Sequence, residues 1–98
     1  MPGQIHALVE VGLIEIISGC LRKYPKDNEI IKACVETLEN ILDVGADLFK
    51  TDENQENPYI LKIVESGTLP IIEGLQTHPD NDIYTISLRI IEKNFEYE

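Results

Sequence analysis

No stretch of this 98-residue chain approaches the ~20 consecutive apolar residues that a membrane-spanning helix needs. It also lacks sustained period-two alternation and any Asn-Gly or Asp-Gly hairpin signal, so strands have little support. There is no Gly-rich phosphate loop, no G-x-S-x-G and no H-E-x-x-H. Paired carboxylates would need a dry, concave site to do acid–base work, and nothing in the pattern predicts one. His6 and His78 lie far apart, and neither is spaced with a cysteine as zinc ligands would be. The expectation is therefore a protein that is no enzyme and has no cofactor, no metal and no membrane partner.

Basic residues are scarce too. Eight Lys and Arg stand against 18 Asp and Glu, for a formal net charge of −10. Binding nucleic acid would pile anion on anion, which excludes it as an expected ligand. The acidity favours a basic partner, or serves only solubility. Cysteines number two, Cys20 and Cys34, both on apolar stretches. With no signal peptide they read as buried free thiols of a reducing compartment, and a disulfide or metal pair is the alternative. Hydrophobic residues at 43% and charged residues at 27% suit a single globular domain with a modest core.

What the chain does have is a statement made twice. Val9-Glu10-Val11-Gly12-Leu13-Ile14-Glu15-Ile16-Ile17 returns as Val64-Glu65-Ser66-Gly67-Thr68-Leu69-Pro70-Ile71-Ile72. The echo continues through Gly19/Gly74, Pro25/Pro79, Asn28/Asn81, Ile30/Ile83 and Glu39/Glu92. The offset is 55 between Val9 and Val64 and 53 between Ile30 and Ile83. Such self-similarity marks stacked structural repeats, which offer a binding surface rather than a catalytic pocket.

Each unit reads as three helices. Gln4 to Val11 is a short apolar-periodic stretch that Gly12 closes in a left-handed cap. Leu13 to Tyr24 places Leu13, Ile16, Ile17, Cys20 and Leu21 on one face, before Pro25 breaks it. Asp27 to Phe49 is the longest helix, with Ile30, Ile31, Cys34, Leu38, Ile41, Leu42 and Gly45 along one side. Asp27 or Asn28 is the expected cap. Lys50 to Glu56 is a polar loop with no apolar anchor. Asn57-Pro58 gives a cap followed by proline at the first helical position of a helix that ends at Gly67. Leu69 to Thr77 follows, then Asp82 to Phe95 with Ile83, Tyr84, Ser87, Leu88, Ile91 and Phe95 facing inward. The middle-to-third turn is expected to be two residues longer in the first unit. Tyr24, Tyr59, Tyr84 and Tyr97 read as core-edge residues.

Three helices per repeat of ~40–47 residues is the armadillo layout. The expected fold is all-α, a right-handed superhelical stack of about two three-helix repeats. Residues 1–49 form a repeat of penultimate type, 50–57 an acidic polar loop, and 58–98 a repeat of terminal type. Third helices line the groove of such a stack. On the first, Lys32, Glu36, Asn40 and Asp43 share one face at spacings of four, four and three. Carboxylates there could pair with a basic peptide and Asn40 with its backbone. The plainer reading is a solvated face with a Lys32–Glu36 pair. The second third helix carries Arg89, Glu92, Lys93 and Glu96 as its candidate contacts, with Ile86 and Ile90 beside the main stripe as stacking or docking positions.

Leu38-Glu39-Asn40-Ile41-Leu42, then Asn57-Pro58-Tyr59, resembles the last armadillo repeats of importin alpha. Ile71-Ile72-Glu73-Gly74-Leu75-Gln76-Thr77-His78, Ile83-Tyr84 and Ile91-Glu92-Lys93-Asn94-Phe95 continue the likeness in family order, from Gln4 to Phe95. The resemblance implies a nuclear import adaptor that shuttles between nucleus and cytoplasm and acts by protein–protein contact. In the family's signal-reading repeats each third helix bears a tryptophan and, four residues on, an asparagine. Asn40 keeps the asparagine place, but Glu36 stands where tryptophan would be, and Arg89 and Lys93 hold both places in the second unit. Those departures remove the aromatic slots that grip lysine stems. The resemblance implies instead the export receptor of importin alpha with Ran-GTP as partner, with nucleoporins or atypical cargo as further ones. The family's basic importin-beta-binding segment has no counterpart here. The chain is read as a fragment of a longer stack, since two repeats seldom fold alone. Its first flank, through Ile5, Leu8, Ile14 and Ile17, is expected to be apolar and to drive self-association. A free-standing helical scaffold unrelated to transport is the alternative.

Overall fold

The computed structural model describes residues 7–9, 12–48 and 57–95. All regular structure among these is helical: α1 (residues 7–9), α2 (Leu13–Lys23), α3 (Asn28–Leu48), α4 (Pro58–Glu65), α5 (Thr68–Leu75) and α6 (Asn81–Asn94). The rest of the expected first helix, Phe49, the Lys50–Glu56 loop and the last three residues lie outside the described set.

Matched residues make matched turns. Gly12 and Gly67 have φ of 103° and 79°, in the left-handed region that glycine adopts without a Cβ penalty. Gly12 N–H donates to the Val9 carbonyl and Gly67 N–H to the Val64 carbonyl, both at 3.1 Å. The third helices begin alike as well. Asp27 Oδ1 accepts from Ile30 N–H, and Asp80 Oδ1 accepts from Ile83 N–H, each at 3.2 Å. These side chains satisfy donors that a helix start leaves unpaired. The caps fix the third-helix offset at 53 residues. The net difference of two arises because α2 has 11 residues against 8 in α5, while the turn that follows is one residue shorter in the first unit, 24–27 against 76–80. The turn is thus not lengthened as expected.

One apolar core runs through both repeats, and α3 is its hub, packing against α2, α4 and α6. Ile31, Cys34, Val35, Leu38, Ile41 and Leu42 of α3 are all buried. Two inward faces differ from the periodicity reading. On α2 the buried residues are Ile14, Ile17, Ser18 and Leu21, and Ile16 is 62% exposed. Ser18 joins that stripe because its hydroxyl bonds the Ser66 carbonyl of the second repeat at 3.5 Å. On α6 the buried residues are Ile83, Ile86, Ser87 and Ile90, so Ile86 and Ile90 belong to the core, and Tyr84 is exposed. Tyr59 is fully buried rather than at a core edge, whereas Tyr24 is exposed; Tyr97 lies outside the described residues. Among the described residues Ser87 Oγ is the buried side-chain polar atom without a hydrogen-bond partner. Cys20 and Cys34 are free thiols, and burial pushes the Cys34 thiol up, with a smaller push from Cys20.

Asn57-Pro58-Tyr59 locks α4 onto α3. Asn57 Nδ2 donates to the Leu42 carbonyl at 2.9 Å, and its Oδ1 accepts from Tyr59 N–H at 3.0 Å. Gly45 of α3 makes room for this corner: a Cβ there would lie 2.6 Å from the Tyr59 ring and collide with the Asn57 amide. Gly45→Ala should therefore destabilise the protein by about 1–3 kcal/mol through overpacking. Urea denaturation checks this, and an unchanged midpoint would exclude the packing role given to the corner.

Candidate functional site

Three ion pairs run along the seam between α3 and α6. Lys32 Nζ lies 3.1 Å from Asp82 Oδ2, and Lys93 Nζ lies 2.7 Å from Asp43 Oδ1. Between them Arg89 grips Glu39 with two donors, Nε to Oε2 at 2.6 Å and Nη2 to Oε1 at 2.7 Å. Each pair joins residues 50 apart. A constant separation means that the numbers rise together on both helices, so α3 and α6 are parallel. On α3 the three residues fall at spacings of seven and four, one stripe of a helix.

That register differs from the repeat offset by one turn. The counterpart of Lys32 is Thr85, yet Lys32 meets Asp82, three residues earlier. The counterparts of Glu39 and Asp43 are likewise displaced, and the stripe of one repeat meets the opposite flank of the next. This placement makes the ladder a contact between repeats rather than within one.

The candidate residues divide accordingly. Lys32, Asp43, Arg89 and Lys93 are held in the ladder, while Glu36, Asn40 and Glu92 are exposed. Glu96 lies outside the described residues. The Lys32–Glu36 pair expected from their spacing is not the one that forms. Lys32 has its pKa raised chiefly by the hydrogen bond and charge of Asp82, and Glu36 adds only a lesser charge effect. Glu39 and Asp82 are not marked by the pattern of either helix face alone, since their partners lie 50 residues away on the other helix. The signal that marks both is opposite charge repeated at one constant separation. Glu39 raises the pKa of Arg89, and Asp43 that of Lys93, each through hydrogen bond and charge.

Lys32, Glu36, Thr85 and Arg89 are among the residues lining a shallow groove between the helices, open to solvent. Among the described residues no cluster could hold a metal ion, and no helix is long and apolar enough to cross a membrane.

Residues 57–98 match the family described as the atypical Arm repeat. Importin subunit alpha-4 of Arabidopsis thaliana is 38% identical over 96 residues, covering 97% of this chain and 18% of that protein. Importin subunit alpha-3 of the same plant is 37% identical over 90 residues, 91% of this chain and 17% of its own length. Importin subunit alpha-3 of Caenorhabditis elegans is 28% identical over 94 residues, 96% of this chain and 16% of its own length. The chain belongs to the importin alpha family. It is an armadillo-repeat chain whose regular structure is helical throughout the described residues, and it spans less than a fifth of the length of those relatives.

The ladder is exposed enough for salt to screen it. Glu39→Ala and Arg89→Ala should be non-additive in thermal denaturation, with a coupling that shrinks at 1 M salt. Both lysines have raised pKa values in the folded state. Their contribution is therefore complete below the ordinary value of 10.5 and is lost as pH rises through the folded values. A Lys32→Met/Lys93→Met chain should show a flatter alkaline decline in Tm than the parent, and parallel declines would remove the ladder from the account.

Proposed function

We propose that this chain is a protein–protein interaction module of a nuclear import adaptor, acting at the end of the stack that serves receptor recycling rather than signal reading. In this reading 1–49 is a penultimate-type repeat, 50–57 the acidic polar segment between them, and 58–98 a terminal-type repeat. The observation that carries it is the ladder. Arg89 and Lys93 hold the places where a signal-reading repeat would present tryptophan and asparagine, and both are tied to α3 carboxylates. A basic localisation signal would meet cations there and no aromatic slot for its lysine stems. Of the candidate residues on the two third helices, Glu36, Asn40 and Glu92 are the exposed ones outside the ladder, two carboxylates and an amide.

The partner of this reading is the export receptor of importin alpha with Ran-GTP, and the setting is shuttling between nucleus and cytoplasm. Nucleoporins or atypical cargo are further partners of the same surface. Pull-down of the chain with the receptor and Ran-GTP tests it. Glu36→Lys and Glu92→Lys should each weaken capture several-fold, and Glu96→Lys should add to the loss. Capture unchanged by all three substitutions refutes the residue assignment. Binding of a lysine-rich signal peptide as tight as that of the receptor refutes the recycling role.

A further inference from the structure

Lys32, Arg89 and Lys93 are held in the ladder, and Arg22 Nη2 donates to the Ser66 carbonyl at 2.9 Å. Two other cations are left free in one short turn. Lys23 and Lys26 are exposed and make no ion pair or side-chain hydrogen bond among the described residues. They flank Tyr24-Pro25, where the chain passes from α2 to α3. Lys23 Nζ lies 5.5 Å from the centroid of the Tyr24 ring, so the aromatic face holds one of the two cations in place. Tyr24 is itself 40% exposed. Backbone bonds pin the turn: Tyr24 N–H donates to the Cys20 carbonyl at 2.9 Å, and Asp27 N–H to the Tyr24 carbonyl at 3.2 Å. Residues 23–29 line an open hollow there.

The fold does not require these side chains. The second repeat makes its own connection with Gln76, Thr77, His78, Pro79 and Asp80, and no lysine or arginine. Pro79 matches Pro25, and Asp80 matches Asp27 as the cap of the following helix. What the first repeat adds is Lys23, Tyr24 and Lys26, two cations and an aromatic ring on a pinned turn. In a chain of net charge −10 they make a locally basic spot. Asp27 is engaged with Ile30 N–H at the start of α3, and Glu29, exposed in the first turn of that helix, is the opposing charge. We propose that this turn is a docking site for an extended acidic segment of a partner protein, with carboxylates for Lys23 and Lys26 and an apolar side chain for the Tyr24 ring. Charge complementarity carries the assignment, and the ring's hold on Lys23 lowers the ordering cost of binding. The inference does not rest on the transport reading, since it uses none of Glu36, Asn40 and Glu92.

Two other occupants fit less well. A nucleic acid offers phosphates to the lysines, but it brings a long polyanion against a chain of charge −10, whereas a short acidic segment brings few charges. A second copy of this chain brings another −10. The flank expected to drive self-association is also smaller than its residues suggest. Ile14 and Ile17 are buried in the chain's own core, while Leu8 is 49% exposed. Ile5 lies outside the described residues.

The test is a titration of the full 98-residue chain with a short Glu/Asp-rich peptide carrying one central leucine, followed amide by amide by NMR in low salt. Shifts should centre on residues 23–29. Lys23→Glu/Lys26→Glu replaces two attractions by two repulsions and should weaken binding on the order of tenfold, and added salt should weaken binding to the parent. Tyr24→Ala should weaken it several-fold while Tyr24→Phe retains it, and Glu29→Gln should strengthen it. All four positions are exposed, so the amide spectra should show that each variant folds. A lysine-rich version of the peptide and an oligothymidylate should each bind more weakly than the acidic peptide. The proposal is overturned if the shifts centre elsewhere, if the charge-reversed chain binds the peptide as the parent does, or if the oligothymidylate binds as tightly as the peptide. It is overturned too if diluting the chain alone moves the same amides, which would make a second copy the occupant.

Discussion

Parallel packing of α3 against α6 is the contact on which the rest of the molecule depends. Neither repeat closes a core by itself; one apolar cluster passes through both. The buried α3 residues and the buried α6 isoleucines supply the cohesion, at roughly 25 cal/mol per Å² of apolar surface removed from water. The ion pairs above them contribute little individually, because all their side chains but that of Glu39 remain well exposed to solvent. Their role is register. Moving α6 by one turn, to the repeat offset of 53, would set Glu39 against Glu92 and Lys32 against Thr85. Opposite charges at 50 and like or neutral contacts at 53 make one alignment better than its neighbour, much as charged flanking positions select partners in coiled coils.

The local grammar of the fold was legible in the residues. Gly12 and Gly67 sit in the left-handed turns that their matched contexts imply, and Asp27 and Asp80 cap the long helices. Helix ends fall within a residue or two of where proline, glycine and capping residues place them. The inward faces were less legible, for a reason specific to repeats. A stacked helix buries two flanks, and a single apolar stripe does not say which neighbour is present on each side. Ile16 and Tyr84 thus looked inward and are exposed, while Ile86 and Ile90 looked peripheral and are core. The ladder was hidden because it joins residues 50 apart, beyond any helical window.

The candidate binding stripe changes character once the seam is known. Four of its residues are engaged between repeats, and Glu36, Asn40 and Glu92 are the members exposed to a partner. Family membership gives the setting, an importin alpha homologue with an atypical Arm repeat at residues 57–98. The seam gives the constraint: the groove between α3 and α6 is lined by paired ions rather than by open aromatic slots.

The central claim is that the two repeats are one cooperative unit joined through α3 and α6. Native-state hydrogen exchange, followed amide by amide in increasing denaturant, tests it most directly. The account predicts that the buried stretches Ile31–Leu42 and Ile83–Ile90 exchange through a single opening, with the free energy and denaturant slope of global unfolding. Exchange of the α6 amides through a shallower partial opening, while α2 and α3 stay protected, would contradict it.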